Sequence, residues 1–326
     1  MGEVLEMPQQ EKIKEITERL EKGIESLFES ENYKNYLKTM SKFTSYSLNN
    51  TLLIAMQKPD ATTVAGYTTW KSLGRQVKKG QKAIQILAPI IYKKKREDEG
   101  EEDDKASARR DKPLSEETEK ILVGFKIVNV FDIAQTEGEP LPEIVHKLDG
   151  SVDGYSDFMK ALRGISPVPV ILQNVEGSAN GYFDLVNKFI AIDKNMSQEM
   201  HVKTGIHEVA HAILHDKDNG MEKDSKHDIE TKEVQAESVA FTVCQYYGID
   251  TSDYSFGYIS GWSSGKDLRE LKESMEVIRK TAQMIITGID NQLDGISLSK
   301  QKAIEFPNSL NFPKQEKALH KRSMKH

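Results

Sequence analysis

Residues 204–216 read TGIHEVAHAILHD, with histidines at 207, 211 and 215 and a glutamate at 208. Ile206, Val209, Ala210, Ala212 and Ile213 fill the gaps, which predicts a helix buried at the floor of a cleft. Positions i and i+4 share one helix face, so His207 and His211 can aim ring nitrogens at one point. Zinc binds imidazole at about 2.0–2.1 Å, and a separation of one turn suits that. Glu208 lies about 100° round the helix, placed to reach a cation-bound water without competing as a ligand. This is the H-E-x-x-H arrangement, with the glutamate as general base. The competing reading is an amphipathic helix whose histidines face solvent. Polar residues at 207, 208 and 211 would then interrupt an apolar helix for no gain.

Zinc needs a third protein ligand. His215 continues the same face one turn further on, too far for a cation centred between the first two, and is expected at the helix end. Downstream stand Asp216, His227, Asp228, Glu230, Glu233 and Glu237. The segment KEVQAESVAFTVCQYYG places Glu233 and Glu237 one turn apart, above a stripe of Ala240, Phe241 and Cys244. One of the pair can bind metal while the other accepts a hydrogen bond from a ligand histidine. The competing reading is a solvated helix face.

H-E-x-x-H followed by a helix carrying Glu-x-x-x-acid resembles the gluzincin arrangement. That resemblance implies Glu233 as ligand, Glu237 in the outer shell and Glu208 as catalytic base in peptide hydrolysis, with zinc as cofactor. GYFDLVNKFIAID, ahead of the helix, matches the edge strand that lines a zincin cleft. Tyr246 and Tyr247 are expected to pack rather than to donate to an oxyanion.

Outward from this helix, the rear half reads as helix (YSDFMKALRGI), strand (VPVILQNV), turn (GSANGYF) and strand (KFIAID). After the histidine helix come a helix over about 230–247, ending at Gly248, and another over 266–288. The front half opens with helical periodicity over 11–40 and a second apolar run, LNNTLLIAMQ. AIQILAPIIY and ILVGFKIVNVFDIAQ read as two antiparallel strands joined by an almost wholly charged loop over 93–120. TEGEPLPEI reads as a linker. The expected fold is α+β in two domains: 1–142, with a small antiparallel sheet; 143–296, zincin-like; and a loose tail, 297–326.

The chain has 326 residues, a net charge of −6 and one cysteine, Cys244, which excludes an intramolecular disulfide and a cysteine-rich zinc module. No long apolar run and no leader-like start occur, so a cytoplasmic protein with no membrane partner is expected. From Ala61 to Arg96 there is no Asp or Glu, yet Lys71, Arg75, Lys78, Lys79 and Lys82 are followed by Lys93 to Arg96. In an acidic chain this is a candidate phosphate-binding surface. Tyr67 and Trp70 lie among the cations and can stack on bases. Tyr46, Asn49 and Asn50 in YSLNN offer further base or sugar contacts. The bland reading makes Tyr67 and Trp70 core and the lysines a solvated hairpin. The acidic part of the charged loop, if it folds over the basic face, would mask it.

FTSYSLNNTLLIAMQKPDATTVAGYTTWKSLGRQVKKGQKAIQILAPI and GFKIVNVFDIAQTEGEPLP closely resemble the N-terminal domain of ArdC-type antirestriction proteins, and AESVAFTVCQYYGI resembles the rear of that family. The resemblance covers roughly residues 10–290. It implies a single-stranded-DNA-binding domain joined to a metallopeptidase-like domain, of the kind found on conjugative elements. Two alternatives stay open: a zinc protease that cuts a regulatory protein recognised by the front domain, and a DNA-binding module whose zinc is purely structural.

Overall fold

The computed structural model describes residues 9–95, 118–141, 152–222, 226–254 and 256–293. The middle of the charged loop, the expected boundary at 142/143 and the tail from 297 lie outside the described residues. What the chain shows is an α+β fold.

The front begins with three helices, α1 (Gln9–Glu25), α2 (Ser30–Lys42) and α3 (Leu48–Gln57). Their periodic apolar residues, among them Ile16, Leu20, Ile24, Tyr33, Leu37 and Leu52, are buried. Ser47 caps α3 by accepting from the Asn50 N–H. Next come β1 (Val64–Gly66), α4 (Tyr67–Ser72), β2 (Arg75–Val77), β3 (Ile84–Lys95), β4 (Thr118–Asp132) and β5 (Thr136–Gly138). β1, β4 and β3 form one antiparallel sheet in that order, and β2 pairs with β5. β3 and β4 are the two strands expected on either side of the charged segment, but they run into both ends of the expected 93–120 loop, pairing Lys93–Lys95 with Thr118–Lys120. The first residues of the expected linker are not a spacer: Thr136–Gly138 completes the β2–β5 ribbon.

Inner residues of β3 alternate towards the core, with Ile84, Ile86 and Ala88 buried. Two carboxamides from α3 clamp the strand's free edge. Asn50 donates to the Leu87 carbonyl and accepts from its N–H, both at 2.8 Å; Gln57 does the same at Gln85, at 2.8 and 3.0 Å. The β3–β4 pairing shifts register between Ile90 and Ile91. There Ile91, Tyr92, Leu122 and Val123 are exposed, and Phe125 is exposed just inside the shift.

The rear begins with α5 (Val152–Ile165), β6 (Val170–Gln173), β7 (Gly181–Asp184) and β8 (Phe189–Asp193). The sheet order is β6-β8-β7, β8 running parallel to β6 and antiparallel to β7. GYFDLVNKFIAID is therefore a hairpin rather than one edge strand. Asp184 accepts from the Val186 and Asn187 N–H groups, Lys188 adopts φ 56°, and β8 becomes the centre while β7 is the edge. A Cβ at Gly181 would meet the Ala191 carbonyl and the Thr204 methyl at 2.7 Å, so glycine lets this edge close down on the helix below.

That helix is α6 (Gln198–His215), capped by Ser197. It is followed by α7 (Ile229–Tyr246), capped by Asp228, then α8 (Ile259–Ser263) and α9 (Leu268–Leu293). Gly248, just past α7, has φ 70°, the left-handed position that glycine fills at a helix end. Tyr246 and Tyr247 both hydrogen-bond Asp290 of α9, so they pack as expected. One continuous core runs from Ile16 of α1 to Ile289 of α9, and the front helices pack directly on α7 and α9.

Candidate metal centre

α6 is apolar on its inner face: Ile206, Val209, Ala210 and Leu214 are fully buried. Ala236, Val239 and Ala240 of α7 are equally buried, and the alanines let the two helices approach closely. With those faces fixed, His207 and His211 turn towards one mouth, and Glu233 in the second turn of α7 meets them there. The two Nε2 atoms are 3.1 Å apart; Glu233 Oε2 lies 3.5 Å from that of His207, and Oε1 lies 3.4 Å from that of His211. Two ligand atoms held at 2.0–2.1 Å in tetrahedral geometry are separated by about 3.3 Å. Two imidazoles and a carboxylate at these spacings therefore fit a divalent cation such as zinc, and one ligand atom from each lies within 4.8 Å of the others.

The electrostatics are those of a compact set of facing charges. Hydrogen bonds from His207 and His211 hold Glu233 far below the usual carboxylate range. Burial alone would lower His207, but the carboxylates of Glu233, Glu208 and Glu237 outweigh it and raise its pKa. Glu208 is buried against β7, where it accepts from the Phe183 N–H, and burial raises its pKa. Glu237 is also raised, chiefly by burial, and accepts a hydrogen bond from the Tyr258 hydroxyl. His207, Glu208 and Glu237 line a cleft of about 350 Å³ with Asn180, Gly181 and Tyr254.

Two features of this centre escape the sequence reading. Tyr258 lies 21 residues beyond Glu237, with no periodic link to it. His215 closes α6, as expected, but it is also buried, and its Nδ1 lies 3.0 Å from Nδ1 of His211.

The front residues divide sharply. Trp70 is 0% exposed and its indole N–H donates to the Phe131 carbonyl, so it is core rather than a stacking platform. Asn50 is committed to the β3 backbone. Tyr46 is half-buried, its hydroxyl donating to the Val64 carbonyl. Arg75 is spent on Thr136, Gly138 and Glu139, and Lys78 donates to the Ala134 carbonyl. Asn49, Tyr67, Lys71, Lys79 and Lys82 are exposed. Tyr92 and Phe125 on the ribbon are further exposed aromatics, beside Tyr67. Among the described residues no helix is long and apolar enough to cross a membrane.

Residues 8–131 match the family model for the N-terminal domain of anti-restriction factor ArdC, and residues 166–247 match that for the IrrE N-terminal-like domain, Peptidase M78. An uncharacterized Bacillus anthracis protein, pXO2-81, is 25% identical over 323 residues, which cover 90% of this chain and 54% of that protein. The chain thus spans about half the length of that curated relative. Among solved structures, the metal-free antirestriction ArdC protein from the R388 plasmid aligns at TM-score 0.45 and 22% identity, covering 79% of this chain and 85% of its own. The Mn(II)-bound form of that protein aligns at TM-score 0.42 and 18% identity, covering 80% and 86%. The chain thus carries, in order, an anti-restriction-factor ArdC N-terminal domain and an IrrE-like, Peptidase M78 domain, the arrangement of an ArdC-type protein.

Proposed function

We propose that this chain is an antirestriction protein that binds single-stranded DNA through its front domain and holds a zinc ion at His207, His211 and Glu233 in a peptidase-type centre. The convergence of those three side chains from two helices carries the metal reading. A cation held there would acidify a water molecule and polarise a carbonyl. Glu208 is the general base; its raised pKa brings it closer to neutrality, where a proton acceptor is most effective. Glu237, bound to Tyr258, shapes the wall of the cleft. The β7 edge borders the mouth and suits an extended peptide, which would pair with it as an added strand.

The DNA reading rests on the acid-free stretch 61–96 and on the exposed Tyr67, Lys71, Lys79 and Lys82. Bases stack on exposed aromatics while lysines meet phosphates. Zinc content of purified wild type beside His207→Ala and Glu233→Ala, with a gel shift on a labelled single-stranded oligonucleotide, tests both halves. Zinc retained at full stoichiometry by both variants would overturn the first half; no shift at low salt would overturn the second.

A further inference from the structure

His215 is neither a ligand nor a plain helix-end residue, and its partners are laid out in a line. His211 Nδ1 to His215 Nδ1 is 3.0 Å, and His215 Nε2 to Gln235 Oε1 is 2.8 Å. Gln235 is fully buried on α7, two residues after Glu233, and its amide nitrogen reaches the Ser274 hydroxyl of α9 at 3.4 Å. Each ring nitrogen of a neutral histidine either donates or accepts, never both.

Ligation through His211 Nε2 would use the lone pair of that atom and so put the ring proton on Nδ1. His215 Nδ1 must then accept, so His215 carries its own proton on Nε2. That proton needs an acceptor, which fixes the Gln235 carboxamide with its oxygen inward and its NH2 towards Ser274. The reverse orientation would protonate His211 Nε2 and destroy the ligand. A Glu222 oxygen, buried and without a hydrogen-bond partner, lies 4.0 Å from His215 Nε2, beyond hydrogen-bond reach.

Resting on the metal-centre reading, we infer that His215 is a positioning residue: with Gln235 it locks His211 in the tautomer and ring orientation that ligation requires. α7 thereby supplies one ligand, Glu233, and the anchor for another. Outer-shell partners of ligand histidines typically change metal affinity by 10–100-fold.

The experiment is a zinc-affinity titration of the full chain against a chelating indicator, with His215→Phe, His215→Asn and His207→Ala beside wild type. Circular dichroism of the metal-free forms controls for folding. The expected result is a 10–100-fold weaker zinc affinity for His215→Phe. His215→Asn should recover part of it, because its carboxamide oxygen takes the place of Nδ1. Wild-type affinity in His215→Phe, with zinc abolished in His207→Ala, would overturn the inference and leave the centre standing. Absence of zinc binding by wild type would overturn both. If His215→Phe does not fold, nitrogen-15 shifts of the wild-type imidazoles decide: zinc-loaded protein should show His215 neutral and protonated at Nε2, and protonation at Nδ1 would overturn the inference.

Discussion

The hydroxyl of Tyr33 on α2 lies 2.8 Å from the hydroxyl of Ser238 on α7, joining residues 205 positions apart in the sequence. Both are buried, and Ser238 directly follows Glu237. The front helices are thus fastened to the helix that carries Glu233. Burial raises the Tyr33 hydroxyl well above its ordinary value, so it stays a neutral donor or acceptor at any working pH. Tyr33→Phe leaves Ser238 short of a partner and should cost about 1–2 kcal/mol in urea unfolding. Tyr33→Ala adds a cavity and should cost about 3–5 kcal/mol. Equal stability of all three forms would remove this fastening from the account.

Metal and folding should be linked. Zinc at one hundred times its Kd stabilises a protein that binds it only when folded by about 2.7 kcal/mol. Wild type should therefore melt higher with zinc than after chelation, while His211→Ala should show no such difference. Glu208→Gln should keep the zinc-dependent rise, since its side chain is not a ligand. If a peptide substrate is in hand, the same variant should lose about 10²–10⁴-fold in rate.

Acidification should weaken the metal-free fold through His215. Burial lowers its pKa from 6.5 to about 4. Between those values the unfolded chain binds a proton that the folded one does not. The contribution is complete above pH 6.5 and is lost as pH falls towards 4, by about 3 kcal/mol at most. His207, raised instead, titrates in the opposite sense, so the effect is read as a difference. Unfolding free energies of wild type and His215→Asn, compared at pH 7.5 and 5, should draw together at the lower pH. A constant gap would contradict the assignment.

At the front, stability and DNA affinity should separate by residue. Trp70→Ala should cost about 3–5 kcal/mol of stability, because it empties a fully buried site. Tyr67→Ala should leave stability nearly unchanged and weaken oligonucleotide binding by about 1–3 kcal/mol. Charge reversal at Lys79 and Lys82 should flatten the salt dependence of binding. An unaltered affinity in all three exposed variants would move the DNA surface elsewhere.

The histidine face was legible because it is local: one turn of one helix carries His207, His211 and Glu208. The β3–β4 pairing and the end of α7 at Gly248 were legible for the same reason, through alternation and turn chemistry. What escaped depends on partners distant in sequence. Whether Trp70 or Tyr67 faces solvent is decided by where Phe131 returns, 61 residues after Trp70. Asn50 looked like a nucleic-acid contact because nothing in YSLNN announces a strand at residue 87. The role of His215 needs Gln235 opposite it, and that meeting is a property of how α6 packs on α7.

The two carboxamides of α3 occupy the place where a neighbouring strand would sit. Residues 85 and 87 present their N–H and carbonyl outward, and the next position of the same parity is Pro89, which has no N–H to offer. Three successive rungs are thereby closed to any incoming chain. A second molecule cannot extend the sheet along Gln85–Pro89, so this inner part of the margin carries its own terminator against fibre-like polymerisation where an open ladder would otherwise invite it.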